Sequence, residues 1–124
     1  GVVARYATMV NGMTSLAVTK LDVLDGCKEL KLCTGYRYNG RVFRDMPADL
    51  HALTHCEPVY RTFKGWTAPT TGVRTYKGLP SEAKRYLQAI EDLAECRIDM
   101  ISTGSKRGET IVLRNPLKAR SRAR

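Results

Sequence analysis

Thr19-Lys20-Leu21-Asp22 carries the richest chemistry in this chain. An aspartate carboxylate can accept two hydrogen bonds side by side, and a charged acceptor makes both strong and selective. A guanine ring offers that pair of donors, its N1–H and its exocyclic amine; adenine does not. The lysine stem can lie along a base while its ammonium stays in water. The same residues also fit a plain surface ion pair between Lys20 and Asp22. Ser102-Thr103-Gly104 is a second candidate. It follows a predicted strand, and glycine lets backbone N–H groups approach a ligand closely. Such groups suit the guanine carbonyl oxygen.

Other constellations fall short. His51 and His55 stand at i and i+4 of a predicted helix, with Cys56 adjacent. Two imidazoles on one face suit zinc, but no carboxylate or second cysteine is placed to complete a site. They read as surface histidines. The sequence has neither GxxxxGK[ST] nor GxGxxG, and no nucleophile–His–acid set. Catalytic residues and metal ligands are therefore expected to be none.

These candidates must be held by elements. Residues 2–10 read as a helix, with Val3, Ala7 and Val10 on one face and Asn11-Gly12 as its C-cap. Residues 15–24 alternate as a strand that ends near Lys20–Asp22, and Asp25-Gly26 marks a turn. Residues 29–37 form a second strand, and Asn39-Gly40 is a hairpin turn returning through residues 41–43. A short helix at 47–55, with Pro47 in its first turn, precedes a strand at 57–63. Residues 64–80 form a long loop. The periodicity of Ala83, Leu87, Ile90 and Leu93-Ala94 predicts a helix over 81–95. Strands at 97–102 and 110–114 flank the loop that begins at Ser102. Alternating strands and helices give an α/β fold. With few strong strands, it is expected to be part of a larger mostly parallel sheet, with flanking helices and a small hairpin.

Composition sets outer limits. The chain has 124 residues, 43% of them hydrophobic, and a formal net charge of +9. No apolar run approaches the roughly 18 residues of a membrane span. Four of the positive charges sit in LKARSRAR, residues 117–124, expected to be a disordered basic tail. A basic nucleic-acid-binding module using that tail on phosphates is the alternative function, with nucleic acid the less favoured partner. Cys27, Cys33, Cys56 and Cys96 form no CxxC pair. Nothing marks a secreted chain, so free, mostly buried thiols are expected. The chain opens on Gly1 rather than Met, which suits a piece of a longer product.

RYATMVNGMTSLAVTKLDVLDG closely resembles the adenylosuccinate synthetase family. The likeness continues through KELKLCTGYRYNG, CEPVYRTFKGW, GVRTYKGLP, EAKRYLQAIEDL and IDMISTGSKRGETIVLR, in the same order. It makes residues 1–116 the C-terminal guanine-recognition region of such an enzyme. The family joins IMP to L-aspartate and uses GTP to phosphorylate the IMP 6-oxygen, with Mg2+. By resemblance, Lys20, Leu21, Asp22, Ser102, Thr103 and Gly104 contact the guanine of GTP. The family usually has proline after that glycine; here it is Ser105. The phosphate loop, the acid–base residues, the aspartate-binding loop and the Mg2+ site are implied to lie outside this segment. An inactive piece of a cytoplasmic enzyme, homodimeric at full length, is what the resemblance implies.

The cysteine reading has a direct check. Thiol titration of the denatured, unreduced chain should find about four free groups, and finding none would overturn it.

Overall fold

Two small sheets and three helices make up a computed structural model that describes residues 1–115. The tail expected to be disordered lies outside the described residues. In chain order the elements are α1 (Val2–Asn11), β1 (Ser15–Val18), a 3₁₀ turn (Leu21–Leu24), β2 (Glu29–Tyr38) and β3 (Arg41–Phe43). Then come α2 (Leu50–His55), β4 (Glu57–Lys64), a second 3₁₀ turn (Tyr76–Gly78), α3 (Ser81–Ala94), β5 (Arg97–Ser102) and β6 (Thr110–Val112).

The first sheet has the order β1-β5-β6. β1 runs parallel to β5, with Val18 opposite Ile101, and β6 is antiparallel to β5. A parallel pair needs a long crossover, and the connection here holds the whole second sheet and α3. That second sheet, β3-β2-β4, is antiparallel throughout. Its hairpin turns at Asn39-Gly40, both with positive φ, as a tight two-residue turn requires. The α/β class is as expected. Within the described residues, parallel pairing is confined to β1 and β5, and β4 enlarges the small hairpin into a three-stranded antiparallel sheet.

The core lies between α3, β5 and the turn at residues 21–24. α3 lays Ala83 and Leu87 against Ile98, Ile101, Leu21, Leu30, Trp66 and Leu79. Tyr86 joins from the same helix, 6.1 Å from the Trp66 ring and edge-on to Phe63 at 6.2 Å. Burial pushes the Tyr86 phenol above its ordinary pKa. At the helix start, the backbone N–H of Glu82 and the Ser81 hydroxyl hold the Glu82 carboxyl below its ordinary value. The helix stops one residue short of the predicted end, because Glu95 adopts a left-handed conformation.

Three further expectations change. The strand expected over 15–24 ends at Val18: Lys20 turns left-handed, φ 56°, and residues 21–24 coil into the 3₁₀ turn. α2 starts at Leu50 rather than Pro47, because the Asp49 side chain caps it by accepting from Ala52 N–H at 3.2 Å. The face of α1 expected to pack is exposed instead. Val3 and Val10 are 63% and 60% exposed, with Tyr6 and Met9 beside them, while Val2 is buried. Of the four free thiols only Cys96 is buried; the other three are half-buried.

Asp25 is more than a turn residue. Its carboxylate accepts from Trp66 Nε1–H, Thr70 N–H and the Thr70 hydroxyl, each at 2.7 Å. Gly26 N–H donates to the Trp66 carbonyl, and Gly65 N–H to that of Lys28. A Cβ at Gly65 would collide with the Cys27 carbonyl, so glycine is required for this approach. The first third of the long loop is thereby fastened to the turn that follows Asp22. Asp25→Ala should destabilise the chain by on the order of 3 kcal/mol, since several bonds to a charged acceptor are lost and buried donors are left unpaired. Urea denaturation measures this; a loss below about 1 kcal/mol would contradict the role.

Candidate functional site

The two candidate segments leave the carboxyl ends of neighbouring parallel strands. β1 ends at Val18 and β5 at Ser102, and their last paired residues are Val18 and Ile101. Thr19–Asp22 and Ser102–Gly104 therefore emerge side by side on one edge of the sheet. Crevices outside the carboxyl ends of parallel strands are where open α/β sheets bind ligands.

Each residue has a distinct placement. Lys20 is exposed and left-handed. A left-handed lysine costs on the order of 1 kcal/mol, and such strain persists only where the surroundings enforce it. Leu21 is 1% exposed and sits in the core beside Ile101. Its side chain anchors the loop from below and does not face outward. Asp22 is half-buried, and its Oδ1 is buried with no hydrogen-bond partner. The ion pair with Lys20 that the sequence allowed is not made by that oxygen. Leaving a buried carboxylate oxygen unsatisfied costs roughly 1–3 kcal/mol or more. Valine and leucine at 23 and 24 complete the turn, which closes through Val23 N–H on the Lys20 carbonyl and Asp25 N–H on the Asp22 carbonyl.

The second loop is self-braced. The Ser102 hydroxyl donates to the Gly104 carbonyl at 2.7 Å. Thr103 is fully buried, its N–H donates to the Glu109 carbonyl, and its hydroxyl reaches the carbonyls of Val73 and Glu109. Like Leu21, it faces inward. The Glu109 carboxylate accepts from Lys106 N–H at 2.9 Å and lies where a Cβ on residue 104 would stand. A larger residue at 104 would have to push the Glu109 carboxylate aside. Ser105 is exposed. Sequence spacing found the loops but missed Glu109, whose Ser-x-Gly partner lies five residues upstream and carries no motif of its own.

His51, His55 and Cys56 lie elsewhere, on α2 and its C-cap. An open cleft of about 440 Å³ also lies on that side, lined by Tyr38, Phe43, Met46 and Pro47. Among the described residues, no group of three or more His, Cys, Asp or Glu could hold a metal ion. None of the described helices is long and apolar enough to cross a membrane.

The family model for adenylosuccinate synthetase matches residues 1–111. The chain belongs to the adenylosuccinate synthetase family. It is 51% identical over 112 residues to the adenylosuccinate synthetase of Desulforamulus reducens, covering 90% of this chain and 26% of that protein. It is 48% identical over 113 residues to that of Thermodesulfovibrio yellowstonii, covering 91% and 27%. Its fold matches a fully ligated adenylosuccinate synthetase from Plasmodium falciparum with a TM-score of 0.79 and 32% identity, covering 86% of this chain and 26% of that one. The chain thus spans about a quarter of the length of the adenylosuccinate synthetases it matches.

The strain at Lys20 can be measured. Lys20→Gly should raise stability by up to about 1 kcal/mol, because glycine is at ease at positive φ. Thermal or urea unfolding reads the change; a marked loss of stability would mean that the lysine stem supports the loop.

Proposed function

We propose that this chain is the guanine-reading portion of a GTP-dependent ligase that joins IMP to L-aspartate. The observation that carries the reading is the buried, unpartnered Oδ1 of Asp22, set at the carboxyl edge of the β1–β5 pair. A carboxylate kept from internal donors at such an edge is supported energetically once a ligand supplies the donors. Guanine supplies two. Asp22 accepts from N1–H and the exocyclic amine, the Lys20 stem lies along the base, and the Ser102–Gly104 backbone meets the guanine carbonyl. Leu21 and Thr103 hold these two loops from beneath. With Ser105 after Gly104, the loop lacks the ring that proline would lay against the base.

GTP is a substrate here, not a resident cofactor. In this reading magnesium, IMP and L-aspartate are held by parts of the enzyme outside this segment. The 124 residues alone are expected to form no adenylosuccinate. The working enzyme is a cytoplasmic homodimer in this reading.

Asp22→Asn in the full-length enzyme tests the base contact. The amide turns one acceptor into a donor facing donors, which costs on the order of 2–4 kcal/mol. The KM for GTP should rise roughly 30- to 1000-fold, while those for IMP and aspartate move little. Xanthine has a carbonyl where guanine has its amine, so XTP should restore activity to the variant. A mere surface partner of Lys20 would cost at most about 1 kcal/mol and leave base preference alone. Should GTP stay the preferred nucleotide with its KM nearly unchanged, Asp22 does not read guanine.

A further inference from the structure

His51 and His55 stand one helical turn apart on α2 with their rings stacked, 4.3 Å between centroids and 27° between planes. Each ring already has one nitrogen engaged. His55 Nδ1 lies 2.9 Å from the His51 carbonyl oxygen. A carbonyl only accepts, so Nδ1 carries a proton, which in the neutral tautomer leaves the Nε2 lone pair open. His51 Nδ1 lies 2.9 Å from the Tyr38 hydroxyl, which steadies that ring from the end of β2. Both histidines line one open cleft of about 360 Å³. Metal-ligating histidines are held this way: one nitrogen fixed by a carbonyl or another polar group, the other left to bind.

The i, i+4 placement on one helix puts both side chains on the same face. Two nitrogens on one tetrahedral zinc, each about 2.0–2.1 Å from it, sit roughly 3.4 Å apart. The rings are stacked with their planes 27° apart, so both must swing apart for their Nε2 lone pairs to converge on one ion, and both side chains are exposed and have room to do so. We propose that His51 and His55 form an exchangeable site for a divalent transition metal, bound through both Nε2 atoms. Bound metal selects the His51 tautomer whose Nδ1–H donates to Tyr38. Among the described residues, no third His, Cys, Asp or Glu completes a cage, so water fills the remaining positions. Imidazole donors favour Ni2+, Zn2+ and Cu2+ over Mg2+. The site is therefore chemically separate from the magnesium requirement of the proposed ligase.

Calorimetric titration of the 124-residue chain with Ni2+, Zn2+ and Mg2+ tests it, beside His51→Gln, His55→Gln and Tyr38→Phe. Both histidines are exposed, and circular dichroism checks that each variant keeps its fold. One Ni2+ or Zn2+ should bind per chain, and Mg2+ should not. Each histidine substitution should weaken binding at least about tenfold, and Tyr38→Phe about tenfold, as loss of a ligand's supporting hydrogen bond does. Cobalt absorption separates this site from the free thiols, because imidazole ligation gives no thiolate charge-transfer band. Affinity retained in both histidine variants, a thiolate band, or no Ni2+ uptake at millimolar metal would each overturn the proposal.

Discussion

Three donors converge on the carboxylate of Asp25, two from Thr70 and one from the Trp66 indole. The bonds span 41 and 45 residues of chain, so they join segments that local structure would leave apart. Trp66 is thereby held in the core, where it touches Tyr86 of α3 and packs with Leu21 and Leu30. The turn carrying Lys20 and Asp22 is thus fixed at both ends, by pairing of β1 at one and by Asp25 at the other. Charge-assisted bonds in a dry setting are strong enough to hold an irregular segment that has no ladder of its own.

That rigidity explains how two unfavourable features coexist in three residues. Lys20 occupies a left-handed conformation, and Asp22 keeps a buried oxygen without a partner. Left free, the loop would relax by turning the lysine into the β region and the carboxylate into water. Leu21, between them, prevents this because its side chain is sunk in the core. In the reading proposed for Asp22, a ligand must still uncover this oxygen, and the cost of holding it unpaired until then is carried by the folded scaffold.

Local rules made part of this legible. Asn39-Gly40 announces its turn, and the spacing of Ala83 and Leu87 announces α3, because both signals depend on near neighbours. The Lys-x-Asp and Ser-x-Gly segments were visible as spacings too. Their adjacency was not, since it follows from the β1–β5 pairing of distant strands. The end of β1 was also hidden: apolar residues recur past Val18 at Leu21 and Val23, though out of phase with Leu16 and Val18, and Leu21 is anchored in the core by a 3₁₀ turn rather than a strand. Periodicity likewise marked α1 as apolar on one side, but a pattern cannot say what covers that side, and Val3 and Val10 stay exposed. Leu21 and Thr103 belonged to the right segments, yet only burial shows that they face inward.

The parallel register of β1 and β5 also bears on the order in which the chain can fold. Ser15 pairs with Arg97, so about two thirds of the chain must be gathered before the first rung of that ladder forms. The β2–β4 and β2–β3 pairings close far shorter loops and α3 closes none, so their entropy cost is smaller and is met earlier. Loop-closure entropy therefore favours forming the antiparallel sheet and α3 before the strand pair that brings Asp22 and Ser102 to one edge. The edge that carries the candidate site is thus the part of the sheet framework whose closure costs most chain entropy.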